Sequence, residues 1–165
     1  MKKFDKKTQI KILNIILIII WMTIIFNFSG QIGTESGNTS RKFTVQIIKI
    51  LTGKSLSIHE PFVDNIQSII RKLAHFSIYT IGGFLIMNYQ YGTNKKEYRK
   101  ILYSIIFGGS YAITDEIHQI FVPGRSGNIF DVGIDTLGVI TGVFVYLAVR
   151  KIIEKVTVNR KIKDV

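Results

Sequence analysis

Residues 12–28 read ILNIILIIIWMTIIFNF, seventeen positions without a charged side chain. As an α-helix rising about 1.5 Å per residue, this stretch is roughly 25 Å long, close to the thickness of the hydrocarbon layer of a bilayer. Three further stretches with few or no charges, 73–91, 101–122 and 132–149, contain 19, 22 and 18 residues. The chain of 165 residues therefore predicts an all-α polytopic membrane protein with four transmembrane helices.

Composition excludes several classes of protein. The chain has no cysteine, so it is not a disulfide-stapled secreted module, a thiol enzyme or a Cys-ligated zinc protein. The 22 Lys and Arg against 11 Asp and Glu give a net charge of +11. A cytosolic nucleic-acid binder would gather such charge into a patch on a folded surface. The cations here lie instead in segments that flank the apolar stretches, so no nucleic-acid partner is expected.

The excess positive charge lies in three segments, 1–11, 92–100 and 150–165. Together they hold fifteen Lys and Arg against four Asp and Glu, so they carry the whole net charge and the remaining residues are neutral. The positive-inside rule places such segments in the cytoplasm. We therefore expect one domain over residues 1–165, multi-pass in the cell membrane, with both termini inside and the cations facing anionic lipid.

A cleaved signal peptide would also begin with lysines followed by an apolar run. The run at 12–28 is longer than a usual signal-peptide core, and no small-x-small cleavage site follows Phe28. We therefore expect the first helix to be retained.

The one long connection, residues 29–70, is external in this topology. Its first part, 29–40, is rich in Gly, Ser and Thr and predicts irregular backbone. Beyond it, apolar residues recur at helical spacing, namely Phe43, Ile47, Ile48 and Leu51. A second apolar series follows Pro61, a favoured first helical residue. The pattern predicts two amphipathic helices at the outer interface, the second continuing into the second span.

Among the ionisable residues inside the predicted spans are His75, Asp115, Glu116 and Asp135. At the helical rise, all of them lie within ~10 Å of the outer boundary, whereas the inner halves of the spans contain no ionisable side chain. A charged group in lipid costs several kcal/mol unless it is paired or hydrated. These residues are therefore expected to face protein or a wet chamber that opens to the exterior.

Helical geometry determines which face of the third span each polar residue occupies. Asp115 and Gln119 are one turn apart on one face, while Glu116 and His118 point nearly away from each other. A pocket lined by Asp115 and Gln119 can therefore include Glu116 or His118, but not both. The Asp-Glu-x-His spacing therefore supplies no closed ligand set, and the sequence leaves any metal or cofactor unidentified.

The second and fourth spans each carry a polar stripe. These stripes are formed by Lys72, His75 and Tyr79, and by Asp131, Asp135, Gly138 and Gly142. Gly138 and Gly142 have the GxxxG spacing that permits close helix contact. Between the third and fourth spans, a tight Pro123-Gly124 turn carries Arg125, which we expect to neutralise a carboxylate or to clamp an anionic ligand.

Four blocks occur in register: Phe28-Ser29-x-Gln31, Arg71-Lys72-x-x-His75-Phe76-x-x-Tyr79, Asp115-Glu116-x-x-Gln119-x-Phe121-x-Pro123-Gly124-Arg125, and Asp131-x-x-x-Asp135-x-x-Gly138. With them, residues 20–149 resemble the VanZ-like membrane proteins, a family named for a teicoplanin-resistance determinant. Asp135 stands where this family often carries Asn. The resemblance implies resistance to teicoplanin-type lipoglycopeptides without rebuilding of the peptidoglycan stem. It implies no settled reaction.

Three functions remain open at this stage. In an envelope enzyme, His75 would be the acid or base, Asp115 and Glu116 would be bases or metal ligands, and a lipid-linked precursor or a lipoglycopeptide would be the partner. A non-catalytic protein would bind the same molecule. A proton-coupled transporter is disfavoured because the inner halves lack ionisable groups.

The candidate ligand-binding residues in all three cases are Ser29, Gln31, Lys72, Tyr79, Gln119, Arg125, Asp131 and Asp135. Structural alternatives are snorkelling for Lys72 and helix capping for Asp131 and Asp135. The oligomeric state is left open by the sequence.

Overall fold

The computed structural model describes residues 5–53 and 57–163, without the side chains of residues 158 and 160–163. It is all-helical, and no strand occurs in this part of the chain. The five helices are α1 (Lys6–Ser29), α2 (Gly33–Thr52), α3 (Pro61–Tyr91), α4 (Glu97–Ile120) and α5 (Ile129–Lys163). The all-α prediction is therefore confirmed.

Three helices within the described residues are long and apolar enough to cross a membrane. They are α1, α3 and the part of α5 from Ile129 to Thr157. The predicted third span lies in α4, which is not among them. Asp115, Glu116 and His118 lie in the last two turns of α4, and their polarity lowers the mean hydropathy of the helix.

Helices α1, α3, α4 and α5 alternate in direction. Trp21 of α1 donates from Nε1 to the carbonyl oxygen of Ile78 in α3 at 2.9 Å, and Asn88 of α3 donates to Asn14 of α1 at 2.8 Å. These pairs show that α1 and α3 are antiparallel. The 2.6 Å hydrogen bond from the Tyr111 hydroxyl to the Met22 carbonyl, in contrast, joins parallel helices, α4 and α1.

Glycines set the contact between α3 and α5. A Cβ at Gly138 would lie 2.5 Å from the carbonyl oxygen of Phe76, and one at Gly142 would lie 1.9 Å from that of Thr80. The two backbones therefore touch at the predicted GxxxG positions, and α5 runs parallel to α3. Gly83 of α3 completes this contact, since a Cβ there would lie 2.1 Å from the Val139 carbonyl oxygen.

The connection between α1 and α3 is more ordered than its composition suggests. Residues 33–40 were expected to be irregular but form the first two turns of α2. Tertiary contacts explain the difference, because Gln67 donates to the Gly37 carbonyl oxygen at 3.3 Å and Gly33 N–H to that of Pro123 at 3.0 Å. The second predicted helix does continue into a long apolar helix, since α3 is unbroken from Pro61.

Candidate functional site

Three ionisable side chains from three helices meet at one end of the bundle. His75 of α3, Asp115 of α4 and Asp135 of α5 each offer a nitrogen or oxygen atom, and these atoms lie within 4.8 Å of one another. We refer to these residues as the acid–histidine cluster. Asp115 is 3% exposed and Asp135 is 0% exposed.

The glycine contact brings the cluster together. Asp135 precedes Gly138 by one turn, and His75 immediately precedes Phe76, against which Gly138 packs. His75 Nδ1 and Asp135 Oδ1 consequently lie 3.6 Å apart. This separation is longer than a hydrogen bond.

Glu116 lies beside the cluster and is held on both oxygens. Gln119 Nε2 donates to Glu116 Oε1 at 3.0 Å and to Asp115 Oδ2 at 3.1 Å. The backbone N–H of Asn128 donates to Glu116 Oε2 at 2.8 Å. Glu116 therefore fastens the turn between α4 and α5 to α4.

His118 points away from Glu116, as the helical geometry requires. Its ring stacks on Phe26 with a centroid separation of 4.2 Å, and its Nδ1 lies 3.3 Å from Ser29 Oγ. His118 thus contacts the end of α1, while Glu116 lies on the side of Gln119.

Arg125 binds backbone rather than a carboxylate. Its Nη1 donates to the carbonyl oxygens of Phe28 and Ser29, each at 2.9 Å. Because the last carbonyls of a helix lack intrahelical partners and form the negative end of its dipole, a cation there stabilises α1. The expected pairing of Arg125 with a carboxylate is not among the ion pairs of the described residues. Burial, and secondly repulsion by Arg71, lower the pKa of Arg125.

Two cavities meet at this end of the bundle. The first, of about 280 Å³, lies between α3, α5 and the α4–α5 turn. Its lining includes six predicted site residues: Lys72, His75, Gln119, Arg125, Asp131 and Asp135. The second, of about 340 Å³, lies between α1, α2 and α3 and is mainly apolar. Six predicted residues also line it: Ser29, Gln31, His75, Tyr79, Asp115 and Arg125.

A family model described as VanZ/LLP1 matches residues 14–150. The chain belongs to the VanZ/LLP1 family. No curated protein and no solved structure matches it. Every predicted site residue lies inside the matched range of the family.

Arg71 belongs to the second sequence block of this VanZ/LLP1 protein, but it is not among the predicted site residues. It lines both cavities, as do His75 and Arg125. Its position four residues before His75 puts it on the stripe that continues to Tyr79, so the helical period alone contained the signal. Arg71 is half-buried, and Lys72 beside it is exposed.

Several buried polar atoms at the site have no hydrogen-bond partner among the described residues. They are His75 Nδ1, the Tyr79 hydroxyl, Arg125 Nε, Asp131 Oδ1 and both carboxylate oxygens of Asp135. Buried polar groups in folded proteins are usually hydrogen-bonded, because leaving one unpaired costs free energy. Their concentration in this VanZ/LLP1 site is therefore unlike ordinary packing.

Proposed function

We propose that this VanZ/LLP1 protein binds an anionic amphiphile of the cell envelope at the outer leaflet and thereby contributes to resistance to teicoplanin-type lipoglycopeptides. The bound molecule is a lipid-linked envelope precursor or the lipoglycopeptide itself. The cell membrane holds the chain as one multi-pass domain, with four spans and both termini in the cytoplasm.

One observation carries this proposal: a polar cavity and an apolar cavity share Arg71, His75 and Arg125. An amphiphile requires such a pair of environments. Its headgroup would occupy the polar side, where Arg71, Lys72 and Arg125 favour an anion. Its hydrocarbon chain would lie against Ile25, Phe43, Ile70 and Ile78 in the other cavity.

The fourth span of the proposal is α4. Large apolar side chains of this helix are exposed over its length, including Leu102, Ile106, Ile113 and Ile117. The two carboxylates near its C-terminal end, Asp115 and Glu116, are in contrast buried in the bundle. This division of faces supports a helix that meets lipid on one side and protein on the other.

A second candidate function is chemistry on the bound molecule. The acid–histidine cluster favours it, because His75 lines both cavities while Asp135 lines the polar one and Asp115 the apolar one. His75 would then act as general acid or base at the junction where headgroup and chain meet. Glu116, with both oxygens engaged, would be a positioning residue in such an enzyme.

Drug susceptibility tests the proposed function. The full chain is expressed in a susceptible host, and the minimum inhibitory concentration of a teicoplanin-type lipoglycopeptide is compared with that of the same core without its lipid tail. The wild-type protein should raise the minimum inhibitory concentration of the lipoglycopeptide, but not that of the core without its lipid tail. Arg71→Gln removes a cation shared by the cavities and Ala74→Phe fills the apolar one, so both should return the host to susceptibility at equal membrane abundance.

Matched controls lie outside both cavities. Arg41→Gln removes a cation of α2 that pairs with Asp64 at 2.7 Å on the surface, and Ala148→Phe enlarges an exposed side chain of α5. Both controls should retain resistance. Equal protection by wild type, Arg71→Gln and Ala74→Phe would refute the proposal. Mass spectrometry of envelope lipids from the same strains separates the candidates, because an altered lipid would support the enzyme.

A further inference from the structure

We propose that His75, Asp115 and Asp135 bind a divalent transition-metal ion, with Zn²⁺ as the best fit. His75 also lines both cavities, but the metal proposal goes beyond the proposed function and has its own test, because zinc binding is measured without any amphiphile. Each of the three side chains comes from a different helix, so a metal ion there would join α3, α4 and α5.

The distances suit metal ligation better than hydrogen bonding. Two ligands held at about 2.1 Å from a tetrahedral Zn²⁺ lie about 3.4 Å apart. His75 Nδ1 and Asp135 Oδ1 are separated by 3.6 Å, and all three ligand atoms lie within 4.8 Å. Small rotations of the Asp115 and Asp135 side chains would move their carboxylate oxygens by at most about an ångström. Such a shift would bring all three ligand atoms to metal-binding distance.

The second, independent observation is the state of Asp135. It is fully buried, and neither carboxylate oxygen has a hydrogen-bond donor among the described residues. Burying a carboxylate without a hydrogen-bond donor costs free energy. His75 Nδ1 lies 3.6 Å from Asp135 Oδ1, within ion-pair distance, and it also has no hydrogen-bond partner among the described residues. A cation between them would satisfy these atoms at once.

Asp115 shows the arrangement expected around a metal ligand. Gln119 donates to its Oδ2 at 3.1 Å, which orients the carboxylate and leaves Oδ1 available. Ligating carboxylates in metal sites are commonly held in this way by an outer hydrogen bond. Glu116 is not one of the three residues whose ligand atoms lie together, and both of its oxygens accept hydrogen bonds that hold the α4–α5 turn.

The donor set selects the class of metal. One imidazole nitrogen with two carboxylates suits Zn²⁺ or a neighbouring transition metal, whereas Mg²⁺ and Ca²⁺ prefer oxygen ligands alone. Three protein ligands leave a fourth position for water or for a ligand group. The cluster opens to both cavities through His75, so that position would be accessible.

Metal analysis of the purified full chain tests the proposal. The protein is extracted in detergent with an affinity tag that contains no histidine, stripped with chelator, equilibrated with Zn²⁺, and its zinc content and affinity are measured. Wild type should bind Zn²⁺ stoichiometrically, and Mg²⁺ in excess should not displace it. Asp135→Asn and His75→Ala should weaken binding by more than the roughly 10- to 100-fold that loss of an outer hydrogen-bond partner costs.

The controls change the same residue types elsewhere. Asp64→Asn on the exposed start of α3 and His59→Ala before α3 should bind Zn²⁺ as wild type does. Loss of binding in these controls, or full binding by Asp135→Asn, would overturn the proposal. A wild-type protein that holds no more zinc than the chelator-treated sample would also overturn it. If a cluster variant does not fold, Co²⁺ added to wild type decides: intense visible bands indicate a four- or five-coordinate site, and weak aqueous-type bands overturn it.

Discussion

Asp115 and Glu116 are neighbours in the chain, but their surroundings differ. Asp115 shares the acid–histidine cluster with His75 and Asp135, whereas Glu116 accepts hydrogen bonds from Gln119 and from the Asn128 backbone. The sequence predicted both as catalytic candidates on the same grounds. At the scale of single residues, the contacts indicate a ligand or proton carrier in the first case and a structural tether in the second.

Glu116→Gln should therefore destabilise the protein whether or not it is an enzyme. An amide can accept from only one of the two donors that face Glu116 and must turn its own NH₂ toward the other. We expect the free energy of unfolding to fall by about 1–3 kcal/mol, the usual cost of an unsatisfied buried group. Thermal unfolding in detergent measures this, with Glu97→Gln, exposed at the start of the same helix, as the control that should change little.

An unchanged midpoint for Glu116→Gln would show that the tether contributes no stability. The result also bears on the resistance assay, because loss of resistance in Glu116→Gln alone would not identify catalysis. Asp115→Asn tests the cluster directly, since Asp115 is bonded at only one oxygen to Gln119.

At the scale of helices, the close contact of α3 with α5 determines the site. His75 and Asp135 lie next to the glycine contact formed by Gly138 and Phe76. Any change in the separation of these two helices is therefore transmitted within one turn to the acid–histidine cluster. Small residues in this contact let the backbones approach as membrane helices commonly do.

Gly142→Ala should push α3 and α5 apart. Its Cβ would lie 1.9 Å from the Thr80 carbonyl oxygen, and backbone cannot yield as a flexible side chain can. We expect the free energy of unfolding to fall by about 1–3 kcal/mol, the usual cost of overpacking. Trp21 is the single tryptophan and lies in the core, so its fluorescence on heating reports the loss.

Gly133→Ala is the matched control in the same helix. Nothing lies within 4 Å of the added Cβ, and alanine favours a helix by up to about 1 kcal/mol over glycine. Its unfolding midpoint should stay or rise. Equal midpoints for the Gly142 variant and wild type would contradict the role given to this contact.

At the scale of the whole molecule, the two ends of the bundle have opposite character. The end with the site carries the acid–histidine cluster and both cavities. At the other end, aromatic rings meet cations: Lys100 and Arg150 both lie over Tyr91, at 4.4 and 3.7 Å from the ring centroid. Such aromatic and basic groups are typical of the cytoplasmic interface of a membrane.

Cysteine labelling tests the orientation and the fourth span together. The chain contains no cysteine, so Ser126→Cys and Asn94→Cys each introduce one thiol, and both positions are exposed. They flank α4. A membrane-impermeant maleimide applied to intact cells should label the first and should reach the second only after permeabilisation.

Labelling of both thiols in intact cells, or of neither, would show that α4 does not cross the membrane. Labelling of Asn94→Cys alone would reverse the orientation and place the cavities on the cytoplasmic side. Either result would remove the outer-leaflet part of the proposed function while leaving the metal proposal to its own test.

The local pattern of the sequence was sufficient to predict most of the helical structure. Apolar length, helical period and the four sequence blocks predicted an all-α VanZ-like membrane protein, and the continuous α3 from Pro61. These properties depend on neighbouring residues and on side-chain chemistry, so they can be read without knowing how helices pack. Residues 33–40 are the exception, because contacts with Pro123 and Gln67 hold them in α2 against their composition.

The sequence by itself also determined which residues are candidates for the site, since ionisable groups in apolar helices are few. Only the tertiary structure decided their partners: Arg125 binds the end of α1, Glu116 secures a turn, and His75 meets Asp115 and Asp135. The physical reason is distance. Hydrogen bonds and ligation are settled within a few tenths of an ångström, and that precision comes from how closely the helices pack at their glycines.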